Sequence, residues 1–370
     1  MDLIVLPSLL GTTVSFVTEG MNEAGLTVSV QVLKQALYMP PSTEASETNV
    51  TNVCFAAFPD WILGTFDSVQ GLREALSTTR IVGLNPEIPL PEMVPSGLHW
   101  SIDDVSDHIV IEVLDGVIHM HENTVGVMTN QPDFTWHLNN LNNFVNLRSG
   151  WPSNPEILVQ TKEVGPVPDV SKAGHGFNLL GIPGDYSPPS RFVRLFYLRQ
   201  FAVLRNPPKE RKGEAKYSDS ISLVTGLLNN VFINKGVVLG PPTAISKLFG
   251  DGFGEYTQYT VIKIPEARLF FYKDYVGTQW RQIKLENLDF SPKEGAPPIK
   301  VSLNEGTVSI KDVTADLTAP PPATCSSSPP AQPELSPLQS AAASPSPCIV
   351  LGDWAWSFLG WLGVQRCRPC

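Results

Sequence analysis

Cysteine is scarce in this sequence. The 370 residues hold five, and four of them (Cys325, Cys348, Cys367 and Cys370) lie in the last stretch of the chain. Cys54 stands alone before them, so no disulfide framework can staple the main body. Basic charge is also short: 26 Lys and Arg face 36 Asp and Glu, a formal net charge of −10. That balance argues against a nucleic-acid partner. Long apolar runs are missing. The opening MDLIVLPSLLGTTVSF is apolar but has no basic segment ahead of it, so a secretory signal peptide is not expected. Asn49-Val50-Thr51 is a glycosylation sequon that matters only if the chain is secreted. The P-loop, HExxH and GxSxG motifs are all lacking. His119-x-His121 would place two imidazoles on one face of a strand, without an apparent third ligand. Neither a metal nor a cofactor is expected.

What is present divides into three stretches. Residues 1–313 have the mixed composition of a globular domain. Residues 314–347 are dominated by Pro, Ser and Ala and carry almost no large apolar side chains, which predicts a disordered linker. Residues 348–370, CIVLGDWAWSFLGWLGVQRCRPC, form a Trp-rich tail. Its apolar part is about 16 residues long and holds Asp353, short of the roughly 20 that a membrane-spanning helix needs. An interfacial helix, a weak anchor and mistranslated sequence compete as readings. Cys367-x-x-Cys370 is half a zinc site at most.

Inside the globular stretch, strand and helix patterns alternate. GLTVSVQVL (25–33), HWSIDD (99–104) and HIVIEVL (108–114) read as strands, with a hairpin turn at Asp115-Gly116. Residues 61–66 and 69–76 read as a helix pair, and 190–204 and 220–231 as amphipathic helices. YTQYTVIKI, ARLFFYKDY and QWRQIKL follow as consecutive strands over 256–285. This mixture predicts an α+β layered fold with antiparallel sheets.

The polar clusters carry the chemistry. In TNQPDFTWHLNNLNNF (129–144), five asparagines and a glutamine crowd into sixteen positions. VGVM (125–128) suits a short buried strand, Asp133 a helix N-cap, and Phe134, Leu138, Leu141 and Val145 a helix face. Asn139, Asn140, Asn142 and Asn143 are then surface amides. Asn130 ends the strand and could aim a rigid N–H into a cleft, as an oxyanion hole requires; equally, it could cap the turn. In GIPGDYSPPSRFVR (181–194), Ser190 reads as the N-cap of the next helix and Arg191 as its start. Arg191 either faces solvent or points a guanidinium at that cleft.

Taken in order, GMNEAGL, GLHWSIDDVSDHIVIEV, VGVMTNQPDFTWHLNNLNNF, GIPGDYSPPSRFVR, NNVFINKGVV and YTQYTVIKIPEARLFFYKDY resemble the choloylglycine hydrolase family over roughly residues 17–290. That family includes bile salt hydrolases and penicillin V acylases. The resemblance implies an N-terminal nucleophile hydrolase fold: an αββα sandwich of two antiparallel sheets between helix layers. It implies cleavage of a small-molecule acyl amide by a cysteine at the mature N-terminus, whose own α-amine acts as base. Asn130 would then help form the oxyanion hole, and Arg191 would help stabilise the transition state. Homo-oligomers are common in the family, and the segment 149–180 is a candidate for the projecting loop that forms them.

The sequence departs from that pattern at its start. Nineteen residues precede Gly20 and none is cysteine. Cys54 follows GMNEAGL instead of preceding it. Met1-Asp2 is similar to the family's Met-Asp pair, which would make Asp2 the catalytic aspartate and the first strands incomplete. The sheet would then be left with an exposed edge. Where some members carry an active-site Asn, this chain reads Gln31-Val32, and Gln31 is the candidate substrate-binding donor. Phe134 is a second candidate for the acyl pocket. Two explanations are open: a reading frame that begins at an internal methionine, or a shortened form without its nucleophile. Three functions stay open with them: a linear amide hydrolase, a non-catalytic acyl-amide binder, and an interaction protein in which Asn130 and Arg191 are structural.

Overall fold

The structure, a computed structural model, describes residues 3–6, 14–40, 50–83, 97–149, 179–205, 216–239, 254–290, 308, 347–353 and 360–366. Asp2, the candidate loop over 150–178 and the stretch 314–346 lie outside the described residues. The first strands, β1 (Leu3–Leu6) and β2 (Val14–Val17), pair as a hairpin that runs on into β3 (Glu19–Met21).

β3 pairs with β4 (Thr27–Val32), and Gly25, at φ +91°, turns the chain between them beside Pro265. A parallel pair, β5 (Thr51–Cys54) and β6 (Thr79–Val82), flanks helices α1 (Phe58–Thr65) and α2 (Val69–Leu76). β7 (Leu98–Asp103), β8 (His108–Leu114) and β9 (Val117–Glu122) complete an antiparallel sheet in the order β3-β4-β7-β8-β9. The β8–β9 turn is the predicted Asp115-Gly116 pair, with both residues at positive φ (51° and 77°), the backbone of a tight two-residue hairpin.

Helix α3 (Phe134–Asn140) begins at the predicted cap: Asp133 accepts a hydrogen bond from Trp136 N at 3.0 Å. VGVM does not form a strand. Val127 and Met128 are buried, but among the described residues no neighbouring strand pairs with them. Helix α4 (Pro188–Arg205) starts two residues before the predicted cap, because Pro188 and Pro189 suit the first helical positions, where no N–H is needed. α5 (Ser218–Asn229) packs beside it. Short β10 (Val238–Leu239) and β11 (Gly254–Glu255) pair next.

The second large sheet follows, with β12 (Tyr259–Ile264), β13 (Leu269–Asp274) and β14 (Arg281–Lys284) in antiparallel order. In the tail, β15 (Pro347–Asp353) and β16 (Gly360–Arg366) form a hairpin, not a helix, and β16 runs parallel to β12 on the side away from β13. That edge of β12 is therefore paired at Thr260 and Lys263.

Period-two alternation explains how the layers stack. Tyr259, Val261, Phe270 and Tyr272 join a core with β4, β7, β8, α1 and α2. Ile262, Ile264 and Phe271, on the opposite face, join Phe134, Phe192, Leu195, Val224 and Leu227 from the α3–α5 layer. Lys263 crosses between the sheets, its Nζ donating to Val28 O at 2.8 Å. The result is helix layer, sheet, sheet, helix layer: the αββα sandwich.

Candidate active site

Asn130 sits at a bend that follows the irregular segment 125–129 and is 4% exposed. Three groups hold it. Its Nδ2 donates to Val32 O (3.1 Å), its Oδ1 accepts from Arg191 Nη2 (2.8 Å), and its main-chain O lies 2.9 Å from His137 Nε2. An amide nitrogen carries two hydrogens. One goes to Val32, and the second remains for the cleft on whose wall Asn130 lies. Thr129 Oγ1 donates to Pro188 O (3.1 Å), tying the segment to the head of α4.

Arg191 is fully buried in the first turn of α4. Besides Asn130 it donates from Nε to Tyr186 O (3.0 Å). One turn on, Arg194 Nη1 donates to Pro183 O (2.6 Å) and Asp185 O (3.1 Å), and its Nε donates to Asn230 O (2.9 Å). The turn-rich loop 183–187 is thus fastened to α4 through its carbonyls. Asp185 accepts from Ser187 N (2.9 Å) and Ser190 Oγ (2.6 Å). The Ser187 and Ser190 side chains, with the Ser187 N–H adding less, hold its carboxyl at about 2, below the ordinary aspartate value. Ser190 therefore sits within the helix as an Asp185 partner, one residue before Arg191.

The cleft measures about 380 Å³. Asn130, Tyr186 and Ser187 line it together with Val32, Lys34, Val238 and Glu255. Burial pushes the Glu255 carboxyl up, and the charges of Arg191 and Lys34 pull it back part of the way. Among the described residues, no group of three His, Cys, Asp or Glu side chains is arranged to hold a metal ion.

A second buried network lies behind the site. Glu112, fully buried in β8, accepts from Phe134 N at 3.0 and 3.1 Å and meets His99 Nδ1 at 3.0 Å and His121 Nε2 at 3.5 Å. Burial alone would raise this carboxyl. The contacts from His121, His99 and the Phe134 N–H outweigh burial and hold it at about 2. His121 therefore serves Glu112, and His119 stacks beside it at 6.3 Å.

Of the expected residues, the structure brings Asn130 and Arg191 together and leaves Gln31 and Phe134 off the cleft wall. Gln31 is fully buried opposite His99 in the β4–β7 ladder and is not on the cleft wall; Val32, the next residue, is. Phe134 is core: its ring meets Phe192 at 6.3 Å and His121 at 5.5 Å. Asp2 lies outside the described residues. Cys54 ends β5 and packs against the first core cluster, away from the cleft. Asn142 and Asn143 bond to Asn139 O and Asn140 Oδ1 on the exposed side of α3.

His137, Glu112, Lys34 and Glu255 were not among the sequence candidates. Glu112 had a readable signal, a carboxylate in the middle of the apolar strand HIVIEVL. Lys34 and Glu255 had none, because they meet only through the packing of distant segments.

Comparison with known proteins agrees with this geometry. Residues 8–296 match the family of linear amide C–N hydrolases, choloylglycine hydrolase family. The bile salt hydrolase/transferase of Clostridium perfringens is 33% identical over 277 residues, 73% of this chain and 74% of that protein. The enzyme of the same description from Bifidobacterium longum subsp. longum is 35% identical over 275 residues, covering 74% and 76%. A solved structure of an arginine-to-leucine variant of the conjugated bile acid hydrolase from Clostridium perfringens superposes with a TM-score of 0.63 at 27% identity, covering 83% of this chain and 82% of that one. With the αββα layers and the Asn130–Arg191 pair in place, the chain belongs to the choloylglycine hydrolase family of linear amide C–N hydrolases.

Proposed function

We propose that the cleft binds small linear acyl amides, of the kind represented by conjugated bile acids and penicillin V, with the scissile carbonyl oxygen facing the Asn130 amide. The observation that carries this is the 2.8 Å bond from buried Arg191 to Asn130 Oδ1 at the cleft wall. It orients the amide so that a nitrogen-bound hydrogen, not an oxygen, faces the cleft. A preorganised donor of this kind stabilises the oxyanion of a tetrahedral intermediate. The Arg191 guanidinium beside that donor further favours negative charge on the ligand oxygen. In the cysteine acyl-enzyme route, a thiolate attacks the carbonyl, the amine leaves with a proton, and water releases the acid. Among the described residues the one cysteine of the domain, Cys54, packs against the core and does not line the cleft; a second reading is therefore an acyl-amide binder without turnover.

One experiment separates the readings. The full chain is incubated with taurocholate and with penicillin V, while amine release and equilibrium binding are followed together. Release that is lost in Asn130→Ala supports the hydrolase. Saturable binding without release, weakened in Asn130→Ala, supports the binder. Absence of both overturns the proposal.

A further inference from the structure

Asn130 is held at its side chain by Val32 and Arg191, but its backbone has no such ladder. Residues 131–133 are neither helix nor strand, and the apolar residues before Asn130 pair with no neighbouring strand. The group on its main chain is His137. Its Nε2 lies 2.9 Å from Asn130 O, and a carbonyl only accepts, so Nε2 carries the hydrogen. His137 is 1% exposed, and burial pushes its pKa down to about 4, which leaves the ring neutral near pH 7.

The ring is held in turn. It stacks on Phe192 at 4.6 Å and 11° between planes. Phe192 is the residue after Arg191, so adjacent positions of α4 hold Asn130 at both ends. Arg191 bonds its side-chain oxygen directly, and Phe192 sets the ring that bonds its main-chain oxygen. The head of α3, which carries His137, is tied from below by Glu112 at Phe134 N.

We propose that His137 is a positioning residue for Asn130. By fixing the Asn130 peptide plane, it keeps the second Nδ2–H aimed into the cleft. This rests on the reading of Asn130 as the oxyanion donor.

The test uses the full chain with 15N-labelled asparagine and reads the side-chain amide resonance pair of Asn130, assigned by its loss in Asn130→Ser. His137→Phe keeps the ring and its stack but removes the donor; His137→Gln supplies another N–H. The expected result is a shifted or doubled Asn130 pair in His137→Phe and a return toward wild type in His137→Gln. Taurocholate binding should fall about tenfold in the first and stay within about twofold in the second, the scale of one buried hydrogen bond. An unmoved Asn130 pair in His137→Phe overturns the proposal. In case that variant does not fold, 15N-histidine spectra of the unmodified chain give an independent decision: Nε2–H supports the proposal, and Nδ1–H overturns it. If Asn130→Ala leaves taurocholate binding unchanged, the reading of the site fails, while the amide and tautomer spectra still decide the role of His137.

Discussion

Two buried polar clusters lie in this sandwich, and they are built on opposite rules. The cluster at the cleft, Asn130, Arg191 and His137, joins its members by one side-chain bond and otherwise fixes them through hydrogen bonds to main-chain groups at defined atoms. The cluster between the sheets gathers ionisable groups around one another. Lys263 lies 3.5 Å from Glu19, while Asp103 accepts from Ser101 Oγ at 3.1 Å and meets His108 at 3.5 Å. Burial pushes Asp103 up to about 7, with the charge of Lys263 opposing it, and pushes Lys263 down to about 8 against the pull of Glu19 and Asp103. Main-chain partners do not titrate, so the first cluster holds its shape across the neutral range. The second carries charge that burial disfavours, so its contribution to stability changes with pH.

Mutations at the cleft should break that contrast most sharply. Arg191→Ala removes a buried cation with two mapped bonds; an unfolding free energy lower by about 3 kcal/mol is expected, with loss of measurable acyl-amide binding. Chemical denaturation and calorimetry check both. Glu112→Gln keeps the shape but loses the charge-assisted hold on Phe134 N and His99, for about 2 kcal/mol at pH 7. Because the folded-state pKa of Glu112 is depressed, that contribution is present above the ordinary glutamate value and disappears as pH falls toward about 2. Urea melts of the pair at pH 7 and pH 3 should therefore converge at the lower pH.

Asp103 behaves with the opposite sign. Its folded-state pKa is raised, so its contribution is full below the ordinary aspartate value and is lost as pH climbs through about 7. Between pH 4.5 and 7.5, the unmodified chain should lose on the order of 2 kcal/mol relative to Asp103→Asn, whose neutral amide does not titrate. Parallel slopes in the two proteins would remove the distinction between the clusters. The smallest effect belongs to Lys34→Met, on the exposed rim of the cleft. Stability should stay within about 0.5 kcal/mol, and affinity for an anionic amide such as taurocholate should fall no more than about fivefold.

The sequence made the framework legible wherever one period dominated. HIVIEVL became β8, a short, largely apolar run buried on both faces, and the amphipathic pattern over 190–204 became α4, whose spacing marks one face for burial. VGVM failed because four apolar residues say "buried" without saying what lies alongside. Val127 and Met128 join a core cluster drawn from helices and from strands of both large sheets, with no strand pairing among the described residues. Gln31 failed for a related reason. TVSVQV alternates cleanly, but alternation does not say which face reaches the cleft. The polar face of β4, Thr27, Ser29 and Gln31, is closed over by the second sheet, while Val32 ends the apolar face and runs out to the cleft wall. Asn130 and Arg191 carried no local mark that told a structural amide or arginine from a functional one. The ordered motif set singled them out, and the distance between them joined them.

The fastening of loop 183–187 by Arg191 and Arg194 divides the cleft into unequal halves. Tyr186 and Ser187 ride on carbonyls locked to α4, so replacing their side chains leaves the contour of that wall in place. Val238 and Glu255 sit on a two-residue strand pair, a much shorter element than α4. Attempts to redirect this cleft toward a new acyl group would do best to rewrite positions 238 and 255 and leave the arginine-bound wall as the fixed template.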